Sequence, residues 1–182
     1  RSVTVNVKHH YFNVLAQMTD ADDYVQTVLG HNMGKITVLV GSVADRLAAE
    51  GAFAPCMGRL PGLVGVVGDL LPILSIAEFL YSVDIVMPSN STKSRGVGTH
   101  EYGHVVMCDM LAEQGAIDAI QAWNGVVLDS LQQKEDSERR YIAEGFADFI
   151  TSQVVGGTNY FTPDPDLDER IGDEPDNFYL SE

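Results

Sequence analysis

The chain opens on an alternation. Ser2-Val3-Thr4-Val5-Asn6-Val7 puts a β-branched apolar residue at every second position, the pattern of a half-buried strand. His9 and His10 follow, then an apolar stretch from Tyr11 to Met18. Asp20-Ala21-Asp22-Asp23 reads as an acidic helix start, with Tyr24, Val25, Val28 and Leu29 at helical spacing and Gly30 as the stop. Ile36 to Val40 predicts a second strand. Ser42 stands where it would cap a short helix from Val43 to Glu50, ended by Gly51. Residues 51–68 are rich in Gly and Pro and predict a loop running into a glycine-rich segment, and 69–80 has helical character with Pro72 in its first turn. Tyr81 to Met87 alternates again and stops at Pro88, which predicts a strand at a sheet edge.

Beyond Pro88 the period lengthens. A polar loop, Ser89 to Gly98, leads into a helix of about Gly98 to Gln114, with Val105, Val106, Met107 and Leu111 apolar and Gly115 as its stop. Ala116 to Gln133 predicts a second helix, with Ile117, Ile120, Trp123, Val127 and Leu131 facing inward. Asp136 or Ser137 caps a third that runs to about Val155 and ends at Gly156-Gly157. Strands precede helices, so the expected fold is α+β: a small mixed N-terminal sheet with helices, an edge strand, then a mainly helical C-terminal half. One catalytic-sized domain covers 1–161, with an N-terminal lobe to about 114 and a helical lobe over 115–161, and 162–182 is an acidic tail.

Charge narrows the partners. Eleven Lys and Arg against 26 Asp and Glu give a formal net charge of −15, which repels phosphate backbones and anionic lipid. Nucleic acid is therefore not an expected partner. The most apolar region, Leu60 to Val83, is interrupted by Asp69, Pro72 and Glu78, so no membrane span is expected. Starting at Arg1 without an apolar leader, the chain reads as a mature fragment or excised domain, and its acidity suits a secreted or extracytoplasmic setting. Cys56 and Cys108 permit one disulfide or two buried thiols, and Cys56 could instead cap a metal as a thiolate.

The chemistry sits in Thr99-His100-Glu101-Tyr102-Gly103-His104, the pattern H-E-x-x-H. On a helix, His100 and His104 share one face and can bind one Zn²⁺, while Glu101 reaches the metal's flank without joining the ligands. Two neutral nitrogens and an adjacent base define metal-assisted hydrolysis. A catalytic zinc needs a third protein ligand. Met107 and Met110 occupy the Gly and His positions of the longer three-histidine pattern, which excludes it. Ala143-Glu144-Gly145-Phe146-Ala147-Asp148 offers a carboxylate instead: Glu144 and Asp148 share a helical face, and the small residues around them permit close helix approach. Asp148 is placed to accept the other N–H of His100 and fix its ring.

His100-Glu101-x-x-His104 followed by Glu144-x-x-x-Asp148 resembles the gluzincin clan of zinc metallopeptidases, the thermolysin-like group. The strand before the motif helix and the helical half after it are similar too. The 39 residues between His104 and Glu144 make a longer interval than thermolysin's. The resemblance implies that His100, His104 and Glu144 bind zinc, Glu101 is the general base and acid, and Asp148 orients His100. It implies a peptide or protein substrate and endopeptidase activity. Two alternatives stand beside it: a non-catalytic zinc-binding module of a larger secreted protein, and a zinc hydrolase of non-peptide amides.

Lesser features complete the expectation. An oxyanion donor is needed, and Tyr160 is the first candidate, followed by Tyr141, His9 and His10. The edge strand, through Asp84, Ile85, Val86 and Met87, is placed to pair with an extended substrate. Asp164, Asp166 and Asp168 alternate as in a calcium loop, without the Gly and final Glu of an EF-hand.

Overall fold

A computed structural model of the chain describes residues 9–48, 51–56, 59, 82–113 and 138–156. The expected strand at 2–7, the helices at 69–80 and 116–133, the cap at Asp136 or Ser137, Tyr160 and the tail with Asp164, Asp166 and Asp168 lie outside the described residues. So do the side chains of His9 and His10. The described part is mixed and mostly helical, around a two-stranded parallel sheet.

Helix α1 runs from His9 to Tyr24 and continues as a wider π turn, Val25–Leu29, ended at Gly30 with φ 67°. It therefore starts well before the acidic run expected to open it. Val14, Met18, Ala21 and Val25 recur at helical spacing and form its buried stripe. Strand β1 is Val38–Val40, and helix α2 is Ser42–Leu47. Gly41, not Ser42, is the residue at the helix entry; its φ of 94° suits glycine, and no side chain caps the turn.

Strand β2, Ile85–Met87, runs parallel to β1, with Val38 opposite Ile85 and Val40 opposite Met87. Alternation sends Ile85 and Met87 into the core shared with Val14, Met18, Tyr102 and Val105. Val86 points the other way, into a cluster of Ala44, Ala48 and Val83. All three residues are fully buried. The strand is also paired on both sides: Val86 exchanges backbone hydrogen bonds of 3.0 and 2.9 Å with Phe53 on the side away from β1. This corrects the reading of Asp84 to Met87 as a free edge. Cover on both faces is normal for a parallel strand, and polar Ser82 and Asp84, which suggested an exposed side, precede the strand.

A 3₁₀ turn at Ser91–Lys93 delivers the chain into helix α3, Val97–Glu113. Helix α4, Glu138–Thr151, packs along it and ends in a π turn, Ser152–Gly156. Residues Gly98 to Val106 of α3 are buried on every side. Among the described residues no helix is long and apolar enough to cross a membrane.

Candidate metal centre

The start of α3 is fixed from outside. Ser94 Oγ accepts the N–H of Val97, and Gln17 Oε1 accepts that of Gly98, both at 2.9 Å, so two of the helix's unpaired amide donors are satisfied. Gln17 Nε2 donates to the Ser94 carbonyl at 2.9 Å, and Asn13 Nδ2 donates to the Thr92 and Ser94 carbonyls, each at 3.0 Å. One polar edge of α1 thus holds the loop that aims the motif. Within the motif, Tyr102 turns away from the histidines and donates to Asp22 Oδ1 at 2.6 Å. Burial first, and this bond second, hold its phenol protonated well above its usual range. None of these partners was singled out from sequence. The available signal was Asn13 and Gln17, two polar residues one turn apart inside an apolar helical stretch.

Packing of α4 on α3 brings the carboxylates in. Gly103 makes the approach possible: a Cβ there would stand 2.7 Å from Ala147 Cα. Ala143, Ala147 and Ile150 are fully buried along the contact. Glu144 Oε2 then lies 3.1 Å from His100 Nε2 and 3.6 Å from His104 Nε2, and the two Nε2 atoms are 3.1 Å apart. Ligand atoms at about 2.0–2.2 Å from a tetrahedral ion stand about 3.3–3.6 Å from one another, so this triangle has the size of three zinc ligands. The chemistry of the set agrees: two imidazole nitrogens and one carboxylate oxygen converge on one point.

Asp148 Oδ1 is 3.0 Å from the other nitrogen of His100, Nδ1, as a charge contact rather than a well-aligned hydrogen bond. The expected quartet of His100, His104, Glu144 and Asp148 is therefore assembled. Glu101 is buried beside it, and its Oε2 has no hydrogen-bond partner among the described residues. A buried carboxylate oxygen left without a donor is costly, and a water held at the metal's flank would satisfy it.

Electrostatics follow from burial and pairing. Burial raises the Glu101 carboxyl above its ordinary value, against the pull of His104 and His100, and Glu144 adds to the rise. The hydrogen bond with His100 at 3.1 Å and, next to it, the His104 ring at 3.6 Å hold Glu144 far below the usual carboxylate range, although burial opposes them. For His100 burial is the largest influence and disfavours the charged form. The hydrogen bond to Glu144 and the charges of Glu101, Glu144 and Asp148 outweigh it, so the pKa lies above the ordinary histidine value.

Other expected site residues have different employment. Asp84 accepts from Arg59 Nε at 2.8 Å and from the Thr37 amide at 2.7 Å, so its carboxylate is committed to the fold. With Val86 paired to Phe53, a substrate strand finds no free backbone groups at the centre of β2. Cys56 and Cys108 form a disulfide, which excludes Cys56 as a metal thiolate. Tyr141 stands on α4, exposed, three residues before Glu144. A second cluster, His31 with Asp109 and Glu113, has Nε2 2.9 Å from Asp109 and Nδ1 3.5 Å from Glu113. Each ring nitrogen faces a different carboxylate, and Arg59 already pairs with Asp109, an arrangement that links the loop after α1 to α3.

Compared with family models, curated proteins and solved structures, the chain has no significant match in any of the three.

Proposed function

We propose that the protein is a zinc-dependent endopeptidase built on the gluzincin plan. The observation that carries this reading is the triangle of His100 Nε2, His104 Nε2 and Glu144 Oε2 at the spacing of ligands on one tetrahedral ion. These three residues would hold the zinc. When bound, the ion acidifies water and polarises a carbonyl. The remaining work belongs to the chain. Glu101 accepts a proton from the attacking water as the C–O bond forms, and gives it to the leaving amine as the C–N bond breaks. Its burial favours the first half of that role, because a carboxylate whose pKa is raised is a stronger base and takes the water's proton more readily. Asp148, against Nδ1, keeps the His100 ring turned so that Nε2 faces His104 and Glu144, the residues that would hold the zinc with it. The reaction also calls for an oxyanion donor, for which Tyr160 is the first candidate from the sequence, followed by Tyr141, His9 and His10. The disulfide fits the secreted or extracytoplasmic setting that the acidity suggests.

Glu101→Gln tests the assignment, because it keeps the shape and removes the base. Zinc content should stay at one per chain while cleavage of a peptide library falls by about 10²–10⁴-fold. A wild type that carries zinc and cleaves nothing in the library would favour the non-catalytic module.

A further inference from the structure

His31, just after the π turn of α1, meets the C-terminal end of α3, where Asp109 and Glu113 share one helical face. One ligand atom from each of the three lies within 4.8 Å of the others. Nε2 of the ring is hydrogen-bonded to Asp109 Oδ2 at 2.9 Å. A neutral imidazole has one N–H, so with Nε2 as the donor the Nδ1 lone pair is turned toward Glu113 Oε2, 3.5 Å away. Two acceptors that face each other repel unless a cation stands between them. Their separation is that of a nitrogen and an oxygen on one tetrahedral zinc, about 3.3–3.6 Å. Asp109 gives its other oxygen, Oδ1, to Arg59, which also pairs with Asp84. The ring is therefore oriented by a carboxylate that is itself held, as the rings of metal-bound histidines are.

Charge points the same way. Asp84, Asp109 and Glu113 share one guanidinium, which leaves two negative charges when the ring is neutral. Glu113 closes α3, where the helix dipole is negative, and the last turn carries no basic residue to offset either. Its side chain is 67% exposed, so an ion can enter from solvent and keep water at its remaining positions. We infer that His31 Nδ1 and Glu113 Oε2 form a second metal site, for a first-row divalent cation such as zinc, with Asp109 fixing the ring. With two protein ligands instead of three, it binds more weakly than the His100 centre. The ion fastens the loop after α1 to the helix that carries His100 and His104, and this role requires no hydrolytic activity.

Titration with zinc at pH 8, followed by calorimetry, tests the site. Wild type should show the event of the His100 centre and a second, weaker one. His31→Gln should lose the weaker event. Asp109→Asn leaves both ligands in place and should weaken it about 10–100-fold through the ring's orientation, and Glu113→Gln should weaken it at least as much. The tight event should persist in all three variants. Glu113 is exposed, so its replacement leaves the fold intact and keeps the test decisive. Zinc binding that His31→Gln and Glu113→Gln leave unchanged overturns the site. A wild type whose only binding event is the one these variants remove keeps this site and loses the His100 centre.

Discussion

His100 makes two opposed demands on one ring. Nε2 must be free of its proton to bind an ion, yet Glu144, Asp148 and Glu101 all favour the charged form. In the metal-free protein the folded pKa is raised above the unfolded value of about 6.5, so the stabilising contribution is complete below about 6.5 and is lost as pH rises through the folded pKa. Glu101, also raised, acts in the same sense from its lower reference value. Glu144 acts oppositely: its contribution is present above about 4.3 and is lost as pH falls. The prediction concerns the window above about 6.5, where the histidine governs. The melting temperature of chelator-treated protein should fall with pH across that window, while zinc affinity climbs because fewer protons compete for the ligand. Thermal unfolding and zinc titrations over a pH series measure both. A metal-free melting temperature that rises through the window would sink the account.

At the scale of elements, the site depends on how closely α4 lies on α3. A methyl at Gly103 would sit 2.7 Å from Ala147 Cα and 3.3 Å from its carbonyl oxygen, backbone atoms that move only with the helix. Gly103→Ala should therefore cost about 1–3 kcal/mol and weaken zinc binding, because Glu144 moves away with α4. Gly145→Ala, on the same helix pair but with nothing to meet, should instead gain up to about 1 kcal/mol. Urea unfolding of the two variants gives the sign of each, and equal signs would contradict the packing argument. The same contrast explains what the sequence disclosed. The i, i+4 spacings of His100 with His104 and Glu144 with Asp148 were legible because a helix alone fixes which residues share a face. Small residues around Glu144 pointed to close approach, though the decisive one, Gly103, lay inside the motif itself. What covers a face was not legible: Ile85, Val86 and Met87 looked like an edge until α2, α3 and Phe53 were seen around them. Asn13, Gln17 and Asp22 were equally hidden, since their partners lie about eighty residues away in the chain.

Across the whole molecule, residues 51–56 and Arg59 are tied down at three points beside α3. Phe53 bridges to Val86, Cys56 is bonded to Cys108, and Arg59 reaches Asp84, Asp109 and the carbonyls of Met33 and Lys35. Cys108 follows His104 by four residues, so the disulfide continues the ligand face of α3 by one turn. Cys56 is held at φ 55°, a left-handed conformation that costs a residue with a Cβ about 1–2 kcal/mol, a cost that the ties at Phe53, Cys56 and Arg59 offset. Removing a crosslink over 52 residues, as in Cys56→Ala with Cys108→Ala, should lower the stability of the metal-free protein by about 2–4 kcal/mol. It should also reach the metal. Groups one turn apart on a helix couple by about 0.5–3 kcal/mol, so zinc should bind the double variant several-fold more weakly than the oxidised wild type. Competition with a chromogenic chelator under non-reducing conditions measures that ratio directly. Identical zinc affinities in the two proteins would mean that the disulfide serves the fold alone, and that the ligand triangle is held entirely by α1 and α4.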